Sequence, residues 1–375
     1  MPCLARLAAV CLVVVTCGSG CSSDSSDEGE PTSSPSSSTA ASATPTAEPS
    51  ATAAPSATST ATSTATSSPT SEPEGVDRLV VPEAAPTMPE AWHERFVIGY
   101  GPGKELLGTA PGGDSGTLDI GPEYGAPGPD GSWWFLDGAK ARLAHYDASG
   151  EFLDQIRIPR TMLFQGRYFQ WQLPHVMADG TLVASRNSQD GTMLLRVRDG
   201  VLDEIPIGLP YWAATYSDGT LLYGYSGRGR LEVVDPTDGS RQRTDAFRTP
   251  SGAPFSLKVG GRLKVELPDA GVSKVLPIST TSGAPAHVGV QAQAGADDTL
   301  HLFLVGAGED DESVQLVGAT SVSPSGAVAE VEPLANPFSE ADPGSPAELV
   351  MAPGSSTPML VYVLDDGVHV YERTG

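Results

Sequence analysis

The sequence predicts an all-β fold, a six-bladed β-propeller of four-stranded antiparallel blades after a disordered N-terminal segment. Three observations predict it. Short apolar runs broken by Gly, Asp and Pro fill residues 85–375, and no 3.6-residue period lasts beyond two turns. An Asp-Gly turn followed by a strongly apolar run recurs at intervals near 40 residues. Gly (42) and Pro (33) together make one in five of the 375 residues, where an average chain has about 12%. Charged residues reach only 18%, with five lysines in all, which excludes a long-helix or coiled-coil protein.

The first 20 residues are read as a secretory signal. Arg6 is the lone positive charge, Leu7 to Val15 is an apolar run too short to span a bilayer, and small residues follow at Gly18, Ser19 and Gly20. Cys21 stands directly after them, before Ser22, Ser23 and Asp24. This arrangement resembles a bacterial lipoprotein signal, in which a peptidase cuts before a Cys that has received a diacylglycerol. Here Gly18 stands where such signals usually carry Leu, Val or Ile. The resemblance implies lipidation at Cys21 and a location on the extracytoplasmic face of the cell membrane. Cys17, after Val14, Val15 and Thr16, is the alternative modification site, and ordinary secretion is the competing fate. With the excess of Arg over Lys, the resemblance points to a lipoprotein of a high-GC Gram-positive bacterium.

Residues 21–84 hold the lipidated Cys and a stalk. Between Ser22 and Asp77 there are 28 Ser or Thr, 7 Pro and no aromatic residue in 56 positions. Such a composition cannot bury enough apolar surface to offset its ordering entropy. All four cysteines lie at or before Cys21, so the later domain must rely on its own core, without disulfides, thiol catalysis or Cys-ligated zinc.

Within residues 85–375 the repeat is clearest at 127-PGPDGSWWFLDG-138, 176-VMADGTLVAS-185 and 215-TYSDGTLLYG-224. Weaker copies are marked by Gly260, Asp297 and Ser355. A second hairpin often follows the first, as at 142-RLAHYDASGEFLDQI-156, and two hairpins make one four-stranded blade. The last copy has too little chain for a fourth strand, so 95-RFVIGYG-101 is expected to complete it and remove an open sheet edge. A β-sandwich and a seven-bladed ring are the competing architectures. Gly131, Trp133 to Leu136, Asp137, Arg142 and the Asp147 to Gly150 turn resemble the NHL-repeat family. That resemblance implies a propeller; the other copies keep the turn but lose the Asp/Arg pair.

Motifs for chemistry are sparse. Six histidines show neither H-x-x-x-H nor H-E-x-x-H spacing, and no G-x-S-x-G elbow or P-loop is present. His145 and His369 alternate with apolar residues, as surface or satisfied strand positions do. Glu309, Asp310, Asp311 and Glu312 form an acidic run that a calcium ion could use, or a solvated hairpin tip. Two aromatic segments lead into inner strands: one with Arg167, Tyr168, Trp171 and His175, the other with Tyr211 and Trp212. Amphipathic aromatics there suit either a ligand at the channel mouth or packing between blades.

The formal charge is −24, from 22 basic and 46 acidic residues, which argues against a nucleic-acid partner. It is uneven: +2 over 140–262 and −13 over 263–375. The expected role is a membrane-anchored module that binds an envelope protein or glycan, with no cofactor. The alternative is a hydrolase or lyase with a divalent metal in the central channel.

Overall fold

The computed structural model describes residues 75–109, 124–159, 174–188, 191–227, 229–308, 315–336 and 347–374. Apart from one 3-10 turn at Pro268–Ala270, its regular structure is β. Six small sheets follow one another along the chain. Blade 1 has β3 (Gly125–Pro127), β4 (Trp133–Asp137), β5 (Arg142–Tyr146) and β6 (Phe152–Arg157). Blade 2 has β7 (His175–Val176), β8 (Leu182–Ser188), β9 (Gly191–Arg198) and β10 (Val201–Pro206). Blade 3 has β11 (Trp212–Ser217), β12 (Leu222–Ser226), β13 (Leu231–Val234) and β14 (Arg241–Arg243). Blade 4 has β15 (Phe247–Arg248), β16 (Pro254–Val259), β17 (Arg262–Leu267) and β18 (Val272–Thr280). Blade 5 has β19 (Ala286–Ala294), β20 (Leu300–Gly308), β21 (Gln315–Val322) and β22 (Glu332–Pro333). Blade 6 has β23 (Ala347–Val350), β24 (Met359–Leu364) and β25 (Gly367–Arg373). Two strands come from the N-terminal side, β1 (Leu79–Val81) and β2 (Trp92–Gly99). The fold is a six-bladed β-propeller, as the sequence predicts.

Ring closure also follows expectation. β2 pairs antiparallel with β25, from Trp92↔Arg373 to Gly99↔Gly367, and supplies the outer strand of blade 6. The sequence did not foretell β1. It pairs parallel with β18, Leu79↔Ile278, and gives blade 4 a fifth strand. The fold thus begins before residue 85: Leu79 and Val81 are fully buried, so three residues of the segment assigned to the stalk join the sheet.

The repeat marker in blade 4 needs correction. Gly260 lies in the β16–β17 turn, one hairpin too late. The turn equivalent to Asp130-Gly131 is Thr249–Ala253, where Thr249 N–H bonds Ala253 O and Gly252 has φ 92°. It carries Ser-Gly where the clear repeats carry Asp-Gly, so the sequence signal is weak there.

Packing is mostly between blades. Phe96, Trp133, Phe135 and Tyr146 join Val361 and Val370 between blades 6 and 1. Trp212, Ala214 and Leu222 pack on Val183, Leu194 and Ile205 between blades 2 and 3. In blade 1 the expected Asp/Arg pair is an ion pair of 2.8 Å, with Asp137 and Arg142 both buried. Its remaining groups are satisfied: Asp137 accepts from Gly108 N–H and Lys140 N–H, and Arg142 donates to Gln155 and to the Lys104 and Leu106 carbonyls. Such satisfaction is what a buried pair requires.

Candidate functional site

The inner strands β3, β7, β11, β15, β19 and β23 start the six blades and border a central cavity of about 50 Å³. Each blade contributes to its lining, through Ala126, His175, Asp218, Pro250, Gln293 and Glu348. The volume suits one or two water-sized groups.

Glu348 is the unusual residue. It is 4% exposed, and its Oε2 has no hydrogen-bond partner. Burial pushes its carboxyl well above the ordinary range, opposed by a hydrogen bond from the Gly125 backbone. Gly125 is needed at that contact: a Cβ there would meet the Phe135 ring at 2.5 Å. The backbone around Glu348 is clamped from blade 5. Gln291 accepts from Leu349 N–H at 2.8 Å and donates to Ala347 O at 3.1 Å. The buried Glu348 of blade 6 is therefore held in the cavity wall by groups from blades 1 and 5.

His175 lines the same cavity, and its Nε2 is also without a partner. Burial lowers its imidazole to about 4, so it is neutral at pH 7. Asp218, from the next blade, is fully engaged: its carboxylate accepts from Thr220, Leu221 and the Tyr223 hydroxyl. A carboxyl whose burial favours its protonated form and a neutral imidazole can both exchange hydrogen bonds with a small polar group.

The other sequence-predicted residues are not brought together here. Trp212 is fully buried in the cluster between blades 2 and 3, so it packs and offers no ligand surface. Tyr211 is half-buried at the start of β11. On that blade the cavity is lined by Ser217 to Gly219, at the strand's other end, about 20 Å away at 3.3 Å per residue. Arg167, Tyr168 and Trp171, the run Glu309 to Glu312, and Cys21 lie outside the described residues. Among the described residues, no group of three or more His, Cys, Asp or Glu is placed to hold a metal ion.

Glu348 escaped the sequence reading. Its signal is an isolated acid within an otherwise apolar strand, 347-AELV-350. Of the two expected strand histidines, His369 has both ring nitrogens engaged, at 2.9 Å from Glu94 and from Asp366, whereas His145 bonds Asp154 at 3.0 Å through Nδ1 and stacks on Trp134 but leaves its buried Nε2 without a partner.

A family model described as "Domain of unknown function (DUF7485)" matches residues 90–373. No curated protein matches the sequence. Solved structures with a similar chain trace include a catalytically inactive virginiamycin B lyase from Staphylococcus aureus with quinupristin. It is 12% identical with a TM-score of 0.36, over 71% of this chain and 98% of that one. Regucalcin, a calcium-binding protein from Agrobacterium tumefaciens, is 14% identical with a TM-score of 0.38, over 78% and 94%. Among the described residues no helix is long and apolar enough to cross a membrane.

Proposed function

The chain belongs to the DUF7485 family of domains of unknown function, and on that premise we propose that it is a membrane-anchored extracytoplasmic lipoprotein. Its propeller serves as a binding or scaffolding module in the cell envelope. Anchoring rests on Cys21 behind its signal and on the Ser/Thr/Pro-rich segment that follows. The observation that carries the module reading is the size of the cavity that described residues of all six blades line. Small-molecule sites are usually about 300–1,000 Å³, whereas this cavity holds about 50 Å³. Recognition of a protein or glycan then falls to other residues, for which the sequence offers Arg167, Tyr168 and Trp171 and the half-buried Tyr211. The Asp137–Arg142 pair supports an NHL-like character for blade 1.

Two measurements test this reading. Cys21→Ala should move the protein from the membrane fraction to the medium; unchanged partition would favour ordinary secretion. Immobilised mature chain should retain an envelope component, and Tyr168→Ala with Trp171→Ala should reduce that retention. Retention unaffected by both changes would remove these residues from the binding surface.

A further inference from the structure

One face of blade 4 combines cations with exposed apolar side chains. In β17, Leu263, Val265 and Leu267 are buried and Arg262, Lys264 and Glu266 alternate with them. The register extends that outward face across the sheet. Lys258 lies opposite Lys264, Ser256 opposite Glu266, and Val275 opposite Lys264 on the other side. Beyond β18, Val80 of β1 pairs with Ser279, which has the parity of Val275 and Pro277. Val275 is 51% exposed and Val80 42% exposed. Arg78, immediately before β1, is exposed too, as are Lys258, Arg262 and Pro277.

This face therefore carries Arg78, Lys258, Arg262 and Lys264 against one register-matched acid, Glu266, which is paired with Lys264 at 2.6 Å. Like charges placed directly opposite, as Lys258 and Lys264 are, weaken a sheet. Within blade 4 Glu266 offsets part of that cost through Lys264, which leaves a net positive face on a chain that as a whole is strongly acidic. The position along the chain is equally specific. β1, the edge strand of this face, is the first strand after the segment that leads from Cys21.

We propose that this face of blade 4 docks on an anionic lipid surface, the bilayer to which Cys21 tethers the chain. The inference deepens the anchoring reading and rests on it. Cationic side chains attract anionic headgroups, and exposed valines add apolar contact at the headgroup boundary. A tether of some 55 residues would hold the face at high effective concentration near the membrane, so weak surface affinity suffices. Docking would lay the propeller against the bilayer with one blade fixed toward it.

The test uses the chain from residue 21 with Cys21→Ala, so that no lipid contributes. Sedimentation is measured with vesicles of equimolar phosphatidylglycerol and phosphatidylcholine, and with phosphatidylcholine alone. Binding is expected to the anionic vesicles only and to be lost at high salt. Lys258→Gln with Lys264→Gln should lower the partition roughly 25-fold, about fivefold per charge. Val275→Asp should lower it further. Arg241→Gln with Arg243→Gln, two exposed cations on β14 of blade 3, should leave it unchanged, and thermal unfolding checks that each variant is folded. Absence of anionic-vesicle binding overturns the proposal, as does equal loss in the β14 variant. Binding to soluble poly(glycerol phosphate) without binding to vesicles also overturns it and points to a wall polymer. Anchoring is read separately, by membrane fractionation of wild type and Cys21→Ala after a high-salt wash that releases surface docking, so the two readings fail independently.

Discussion

Replacing Glu348 by Gln should stabilise the propeller at neutral and higher pH and flatten its dependence on pH. In the folded chain burial holds the Glu348 carboxyl protonated well above its ordinary range. In the unfolded chain it releases its proton near pH 4.5. Folding therefore takes up a proton in the interval between, and stability falls as pH rises by about 1.4 kcal/mol per unit. His175 has the opposite sign. Its imidazole drops from 6.5 to about 4 on burial, so its contribution is present above pH 6.5 and lost as pH falls toward 4. Above about pH 4.5 the two slopes oppose each other, and that of His175 ends at 6.5. Wild type should then lose stability relative to Glu348→Gln as pH rises above 4.5, by about 1.4 kcal/mol per unit until the folded carboxyl ionises. Gln keeps the shape and can still accept from the Gly125 backbone. The assay is urea unfolding of both proteins at half-unit pH steps, read as a difference so that other groups cancel. Parallel curves throughout the range above pH 4.5 would refute the burial argument. His175→Asn should remove the opposing slope on the acid side, by at most ~3 kcal/mol across the interval, because His175 keeps some contact with solvent.

Other perturbations have equally definite outcomes. Asp137→Ala should cost about 3–5 kcal/mol in denaturant unfolding, because it leaves Arg142 buried without its partner. Trp212→Ala should cost a similar ~3–5 kcal/mol through the cavity it opens between blades 2 and 3, with no change in retention of envelope components. Gly224→Ala should prevent or severely weaken folding, since its Cβ would stand 1.9 Å from the Ala213 carbonyl oxygen across β11 and β12. Circular dichroism at rising temperature reads that loss, and a near-wild-type melting curve would contradict the packing described for blade 3.

The blades were legible where turn chemistry is strict. Asp-Gly pairs at Asp130, Asp179 and Asp218 mark the first hairpin of blades 1 to 3, since Gly accepts positive φ at the turn, as Gly131, Gly180 and Gly219 do. Blade 4 was misread because Gly252 does the same work after a Ser, while Gly260-Gly261 advertised a turn one strand later. β1 was hidden by length, since three apolar residues next to a Ser/Thr-rich segment carry no periodicity. The closing strand was legible from a deficit, the missing fourth strand of blade 6. Glu348 and His175 were not legible as a pair. They lie 173 positions apart in sequence, and only the ring places both on one cavity. The aromatic residues were ambiguous for a physical reason: a large side chain serves a seam between sheets and a binding surface equally well, and Trp212 fell to the seam.

The pairing of β2 with β25 joins residues about 275 positions apart. No shorter piece of the chain can complete blade 6, because β2 has no sheet to join until the last strand exists. A chain exported N-terminus first would thus carry β2 across the membrane long before its partner. Until β25 emerges, Phe96 and Ile98 lack the seam that buries them. The ring then closes in one late step of high contact order, which makes folding slow and exposes an edge to aggregation. Tethering at one end would keep such half-finished chains apart from one another on a surface while synthesis finishes.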